Sequence, residues 1–196
     1  MKLLKQQIVK EIEKLGPWWH TIDLGNGIKT KSGSKIDPDH PRQLWNAIKN
    51  YLPLDLAGRS IIDFGCNAGF FCIEAKRRRA KRVVGIDINS GLIRQAKFVS
   101  GILGLDIEYN IKSVYDLTET DGMFDIAFCL GLLYHLDDLT LGFERILRLV
   151  KSTIIIETAV MSYPLDPPII KIFDSGFYRG RTIRSLPNIS AVTSIL

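Results

Sequence analysis

Residues 60–160 alternate short apolar strands with helices, an order that predicts an α/β fold on a parallel, doubly wound sheet. Three observations carry that expectation. The strands are apolar almost throughout, as strands covered on both faces must be. The intervening helices run ten to fourteen residues, long enough for a crossover. A loop of small residues joins the first strand to the first helix. In order, the pattern predicts a strand over Ser60–Phe64, a helix over 70–79, a strand over Arg82–Asp87 and a helix over Ser90–Leu103. It continues with strands over 106–111 and Phe124–Leu130, a helix over 139–150 and a fifth strand over 153–160.

The flanks read differently. Residues 1–15 place Leu3, Leu4, Ile8, Ile12 and Leu15 on one helical stripe, which Gly16-Pro17 ends. A Gly- and Lys-rich irregular stretch follows to Pro41, and a short helix covers 42–51. After Val160, Pro164, Pro167 and Pro168 break regular structure until a helix opens at Ile189. Three segments follow: residues 1–59, a helical and irregular extension covering the site; residues 60–160, the core; and residues 161–196, an irregular tail.

Composition narrows the class of protein. Hydrophobic residues make up 46% of the 196 and charged residues 24%, close to a globular average, so disorder is excluded. The longest apolar run, 126–134, falls well short of the roughly 20 residues a membrane span needs. Cys66, Cys72 and Cys129 are odd in number and lack CxxC spacing, which indicates neither a disulfide framework nor a zinc site. The expectation is a reduced, soluble, cytoplasmic protein that binds no metal. The net charge of +5 divides as +4 over 1–59, −1 over 60–160 and +2 over 161–196, so the basic excess flanks a nearly neutral middle.

The chemistry concentrates where strands end. Asp63-Phe64-Gly65-Cys66-Asn67-Ala68-Gly69-Phe70 is a strand–loop–helix junction whose small residues let a ligand approach the backbone at a helix N-terminus. The dinucleotide spacing GxGxxG is absent, because Asn67 and Phe70 hold its second and third glycine positions. Asp87, with Ile88 after it, ends the second strand, where a carboxylate can accept hydrogen bonds from two ribose hydroxyls; a helix N-cap acid is the alternative reading. Tyr115 and Asp116 follow the third strand. Leu130 ends the fourth, and Gly131-Leu132-Leu133-Tyr134-His135 puts a phenol and an imidazole just beyond.

The D-x-G-x-N-x-G spacing from Asp63 to Gly69 resembles the first motif of class I S-adenosylmethionine (SAM)-dependent methyltransferases, with Asn67 in place of a middle glycine. That resemblance implies a Rossmann-like class I fold in which Asp63, Gly65, Asn67, Gly69, Asp87, Ile88, Tyr115, Asp116 and Leu130 hold SAM, Asp116 taking the adenine amino group. Trp18-Trp19-His20, "GCNAGFF", "GLLYH", "IIIETAV" and 184–189 together look like the tRNA (mo5U34) methyltransferase and wobble-uridine carboxymethyltransferase-like family. In the carboxymethyl branch a Lys, a Tyr and an Arg hold the carboxylate of carboxy-SAM. Tyr134 matches the Tyr and Arg181 the Arg, but the Lys position falls near Leu44, with Arg42 the nearest cation. A carboxylate short of one cation is poorly compensated, which favours ordinary SAM. The resembling family continues beyond these residues through a helix and two closing strands, without which the fifth strand would be an open edge; either the chain is a fragment, or the edge is covered by the tail or by another chain, as in a homo-oligomer.

Methyl transfer from a sulfonium rests on positioning, because the leaving group is neutral; a hydroxyl acceptor also needs its proton removed. His135 and His20 are the candidate bases, Tyr134 a positioning group, and Trp18 and Trp19 either stack a base or simply pack. The cationic run 76–82 reads as a solvated helix end about 15 Å from the chemistry, at ~1.5 Å per residue. Lys29, Lys31, Lys35, Arg179, Arg181 and Arg184 are the better candidates for an RNA surface. Three functions stay open: methylation of a modified wobble uridine in tRNA, methylation of a small-molecule or lipid-like acceptor, and a non-catalytic SAM-binding module.

Overall fold

The computed structural model describes residues 5–33, 39–161, 168–173 and 183–195. The chain forms two compact units, residues 1–111 and 112–196, and the division falls within the segment 60–160.

The first unit opens with α1 (Lys5–Leu15), whose buried Ile8 and Ile12 lie one turn apart on the expected stripe. The Trp18 indole N–H donates to the Ile12 carbonyl at 2.8 Å, tying the chain to the helix end it has just left. The stretch expected to be irregular contains a small antiparallel hairpin, β1 (Asp23–Gly25) and β2 (Ile28–Lys29). Gly25, Asn26 and Gly27 all take positive φ at its turn. The Asn-Gly pair signals such a turn, but strands this short offer no alternation to detect. α2 (His40–Ile48) begins two residues before the expected helix, and a single 3-10 turn over Lys49–Tyr51 completes the segment.

Three parallel strands follow: β3 (Ser60–Phe64), β4 (Arg82–Asp87) and β5 (Glu108–Ile111), with α3 (Phe70–Arg77) and α4 (Ser90–Leu103) between them. α3 stops two residues early because Arg79 turns to φ 69°. α4 starts where Asn89 accepts hydrogen bonds from the Gly91 and Leu92 amides, and it ends at Gly104 in a left-handed conformation. Pairing of Asp87 with Ile111 and of Phe64 with Ile86 aligns the carboxyl ends of all three strands. Leu56, Ile61, Ile62, Phe64, Phe70 and Ile73 are fully buried, each contributing about 1.5–3 kcal/mol.

The second unit contains parallel β6 (Phe124–Leu130) and β7 (Val150–Glu157) with α5 (Leu139–Leu147) between them. Asp138 caps α5 by accepting from the Leu141 amide at 2.9 Å. β7 lies three residues earlier than expected. Its ladder with β6 runs from Phe124 against Val150 to Leu130 against Glu157, so pairing ends where β6 ends. The polar Lys151 and Ser152 are exposed at the start of the strand, which disguised it. Two short strands that the sequence pattern does not announce, β8 (Ile170–Ile172) and β9 (Ser185–Pro187), pair antiparallel with each other. α6 (Ile189–Ile195) closes the described chain. The central sheet is parallel, as the alternating pattern predicts, and its five strands stand in the order β5-β4-β3-β6-β7, which the pattern does not give. No described helix is long and apolar enough to cross a membrane.

Gly85 on β4 lies against Tyr109 on β5. A Cβ there would come within 2.7 Å of the Tyr109 ring and 2.9 Å of Cys66 Sγ. Gly85→Ala is therefore expected to destabilise the protein by about 1–3 kcal/mol in urea titration. A midpoint equal to wild type would show that the ring has room to move.

Candidate active site

In the first unit, the chain leaves β3 through Gly65 (φ 71°), Asn67 (φ 51°) and Gly69 (φ 81°) before entering α3. Asn67 holds the left-handed conformation that makes it a tolerable stand-in for glycine. The Gly65 and Cys66 amides both donate to the Ile86 carbonyl at 2.9 Å, hanging the loop from the neighbouring strand. A Cβ on Gly69 would collide with the Tyr109 hydroxyl, so the close approach itself requires glycine. No side chain caps α3, which leaves its first amides without a capping acceptor.

Asp87 organises this loop from the end of β4. Its Oδ2 accepts from the Asn67 amide at 3.0 Å and its Oδ1 from the Asn89 amide at 2.8 Å. A carboxylate oxygen can accept more than one hydrogen bond, so this carboxylate has the chemistry to receive hydroxyls as well. The helix-capping alternative belongs to Asn89 instead. Beside Asp87, Ile88 and Ile111 are 74% and 60% exposed, an apolar pair at the ends of adjacent strands. Ile88 is an expected site residue; Ile111 is not, although its place at a strand's carboxyl end is the signal for it.

Asp63 lies beneath the loop rather than on it. The side chain is buried, and the Cys72 thiol donates to its Oδ2 at 3.4 Å. Burial pushes its pKa up to about 7; the Cys72 hydrogen bond opposes this and the nearby Asp87 charge adds to it. Burial also raises the Cys72 thiol well above its usual range. Asp63 thus supports the loop from below instead of presenting a free carboxylate to a ligand.

His20 sits edge-on to Phe70 and Phe71, with ring centroids 6.2 and 6.1 Å away, and its Nδ1 is buried. Burial first, and His40 second, lower its pKa to about 4. The ring is neutral at physiological pH but only weakly basic, which counts against the role of base expected for it. The tryptophan pair divides. Trp18 is 5% exposed with its N–H bonded to Ile12, so it packs and has no face for a substrate, contrary to one of the two expectations for it. Trp19 is 62% exposed and keeps an open face. Arg42 lies 5.5 Å over the Phe70 ring, bringing a cation to the start of α3.

In the second unit, Tyr115 and Asp116 occupy a 3-10 turn over Val114–Asp116. The Tyr115 hydroxyl accepts from the Asp138 amide at 2.8 Å and donates to its carbonyl at 3.2 Å, which ties the phenol to the start of α5. Asp116 is exposed. Leu130 ends β6, and Gly131, at φ 74°, donates its N–H to the Glu157 carbonyl at 3.0 Å. Tyr134 and His135 share the next turn, their rings 4.4 Å apart. The Arg184 amide donates to the Tyr134 carbonyl at 2.8 Å, and its guanidinium pairs with Asp137 at 3.3 Å. Glu157, which the sequence pattern gives no role, brings a carboxylate to this edge. Arg181, Lys35 and Arg179 lie outside the described residues.

The cationic run 76–82 is largely engaged within its own unit. Arg77 pairs with Glu74, Arg79 with Asp55 and Arg82 with Glu108. Arg78 stacks over Trp45 at 4.9 Å and donates to the carbonyls of Lys49 and Pro53. Lys29, a candidate for an RNA surface, pairs with Asp23 at 3.6 Å.

A Gly/Asn loop between strand and helix, followed by an acid at the end of the next strand, is an arrangement that can hold a nucleoside at the carboxyl edge of a parallel sheet. Comparison with known proteins agrees: residues 61–153 match the family described as methyltransferase domain. The tRNA U34 carboxymethyltransferase of Nautilia profundicola is 33% identical over 94 residues, 48% of this chain and 31% of that protein. The enzyme of the same name from Helicobacter pylori is 28% identical over 171 residues, 84% of this chain and 62% of that protein. The chain thus spans less than two thirds of both these relatives. Among solved structures, the N-terminal domain of EvdMO1 with SAH bound superposes with a TM-score of 0.72 at 19% identity, covering 99% of this chain and 86% of that one. A putative S-adenosylmethionine-dependent methyltransferase from Listeria monocytogenes gives 0.60 at 17% identity, covering 80% and 82%. The chain thus has the class I, Rossmann-like fold of these solved structures, and its residues 61–153 are similar to the methyltransferase domain family.

The raised pKa of Asp63 has a definite sign. Between its ordinary value near 3.8 and about 7 the folded state holds a proton that the unfolded state has released, so this group's contribution to stability falls as pH rises through that window. Asp63→Asn is expected to gain on wild type in thermal midpoint steadily from pH 4 to pH 7. A constant difference across that range would contradict the buried, proton-holding carboxyl.

Proposed function

We propose that the chain binds SAM on the β3–α3 loop and transfers its methyl group to a modified wobble uridine in tRNA. The observation that carries the cofactor reading is the Asp87 carboxylate, pinned by two amides at the mouth of a loop whose Gly69 leaves no room for a side chain. In this reading Asp87 receives both ribose hydroxyls, Ile88 lies along the adenine, and the loop backbone from Gly65 to Gly69 lies against the amino-acid portion. Tyr115, Asp116 and Leu130 keep the cofactor-binding roles that the family resemblance implies. SAM supplies an electrophilic methyl group on a sulfonium. The residues have to align the acceptor, exclude water and remove one proton. Tyr134 is the positioning group and Trp19 the open aromatic face for a base. Of the two candidate histidines, His20 is held weakly basic, which counts against it as the proton acceptor.

The tRNA acceptor is supported by relatives named for U34 modification. A small-molecule acceptor remains the alternative and predicts turnover indifferent to salt and to ribonuclease, whereas RNA modification falls steeply with salt. A carboxylated donor is a second reading with its own observation. Leu44 is not basic, but Arg42 stands over Phe70 at the start of α3, where it can meet a carboxylate.

Mass spectrometry of the ligand released from purified protein separates these donors: SAM or S-adenosylhomocysteine is expected, and carboxy-SAM would favour the second reading. Asp87→Ala is expected to weaken S-adenosylhomocysteine binding at least tenfold in calorimetry while the protein stays folded by circular dichroism. Wild-type affinity in that variant would overturn the site.

A further inference from the structure

We propose that Glu157 is the general base that takes the proton from the acceptor hydroxyl, holding that hydroxyl jointly with Tyr134. The proposal rests on the transferase reading above and on an acceptor that presents a hydroxyl, the case in which a proton has to be removed. Glu157 is the last residue of β7, directly beyond which the ladder with Leu130 ends, so its carboxylate stands at the carboxyl edge of its strands. Its backbone carbonyl is fixed by the Gly131 amide at 3.0 Å.

The side-chain geometry describes a small space with two oxygens facing it. From the point where a Cβ on Gly131 would stand, the Tyr134 hydroxyl is 3.1 Å away and Glu157 Oε2 is 3.6 Å away. Glycine keeps that point empty, and its φ of 74° discourages any side chain there. The other acids of this neighbourhood differ. Asp137 pairs with Arg184, and Asp138 caps α5 while its backbone holds the Tyr115 hydroxyl. The Glu157 side chain is half-buried, and its carboxylate has no hydrogen bond or ion pair among the described residues. A carboxylate withdrawn from water without a partner is costly unless a ligand supplies the donor. A phenol and a carboxylate around one point suit a hydroxyl: it can accept from the Tyr134 O–H and donate to Glu157.

The step balances simply. Glu157 takes the hydroxyl proton as the acceptor oxygen forms its bond to the transferred carbon. The S–C bond breaks, and its electron pair stays on sulfur as a neutral thioether.

The test uses the chain with tRNA carrying 5-hydroxyuridine at the wobble position, with SAM and, in a parallel arm, carboxy-SAM as donors. Glu157→Gln is expected to lower kcat roughly 100-fold near pH 7, to bind S-adenosylhomocysteine as wild type does, and to recover rate as pH rises and the acceptor ionises by itself. Unchanged kcat and pH profile alongside active wild type would sink the base alone. Loss of S-adenosylhomocysteine binding in the variant, or failure to recover at high pH, would make Glu157 a structural residue. Wild type that binds S-adenosylhomocysteine yet transfers nothing to this tRNA from either donor would remove the acceptor reading, and the base with it.

Discussion

Two hydrogen bonds to one carboxylate set the conformation on which the first unit depends. Asp87 accepts from Asn67 in the loop after β3 and from Asn89 at the start of α4, so one side chain at the end of β4 fixes both the loop and the next helix. The loop is also hung from the Ile86 carbonyl by two amides. A backbone carrying three left-handed residues in five is costly to order, and these bonds offset that cost before any ligand arrives. Preorganisation of this kind lets the loop's remaining amides act on a ligand without further loss of chain entropy.

Beneath the loop, the support is polar and buried rather than simply apolar. Asp63 and Cys72 are bonded to each other, and Tyr109 fills the space that Gly69 and Gly85 leave. Such packing makes the loop sensitive to single methyl groups, because neither the ring nor the strand backbone has anywhere to move. The second unit uses a different device. Gly131 turns out of β6 with its amide on the Glu157 carbonyl, and Tyr134 is held at its carbonyl by the Arg184 amide, so β9's neighbourhood steadies the turn that carries the phenol.

Much of this was legible in the residues. Five apolar strands with helices between them dictated the sheet, because parallel strands covered on both faces cannot alternate polar and apolar positions. The boundaries of β3, β4, α4 and β6 fall where the pattern puts them. Asn67 in place of glycine was readable from its tolerance of left-handed angles. The hairpin at 23–29 and the strands β8 and β9 were not readable, since two or three residues carry no period and their pairing is decided by partners elsewhere in the chain.

By itself, then, the sequence determined the succession of strands and helices along the core, the loop between β3 and α3 and the acid that ends β4. Each of these is a local consequence of residue type and spacing. Only the tertiary structure decided that Trp18 packs while Trp19 stands open, that His20 is held neutral, that Asp63 lies under the loop, and that Glu157 shares a space with Tyr134. The physical reason is common to all four: burial, the presence of a hydrogen-bond partner and the resulting proton affinity depend on atoms brought together from distant positions, which no spacing along the chain records.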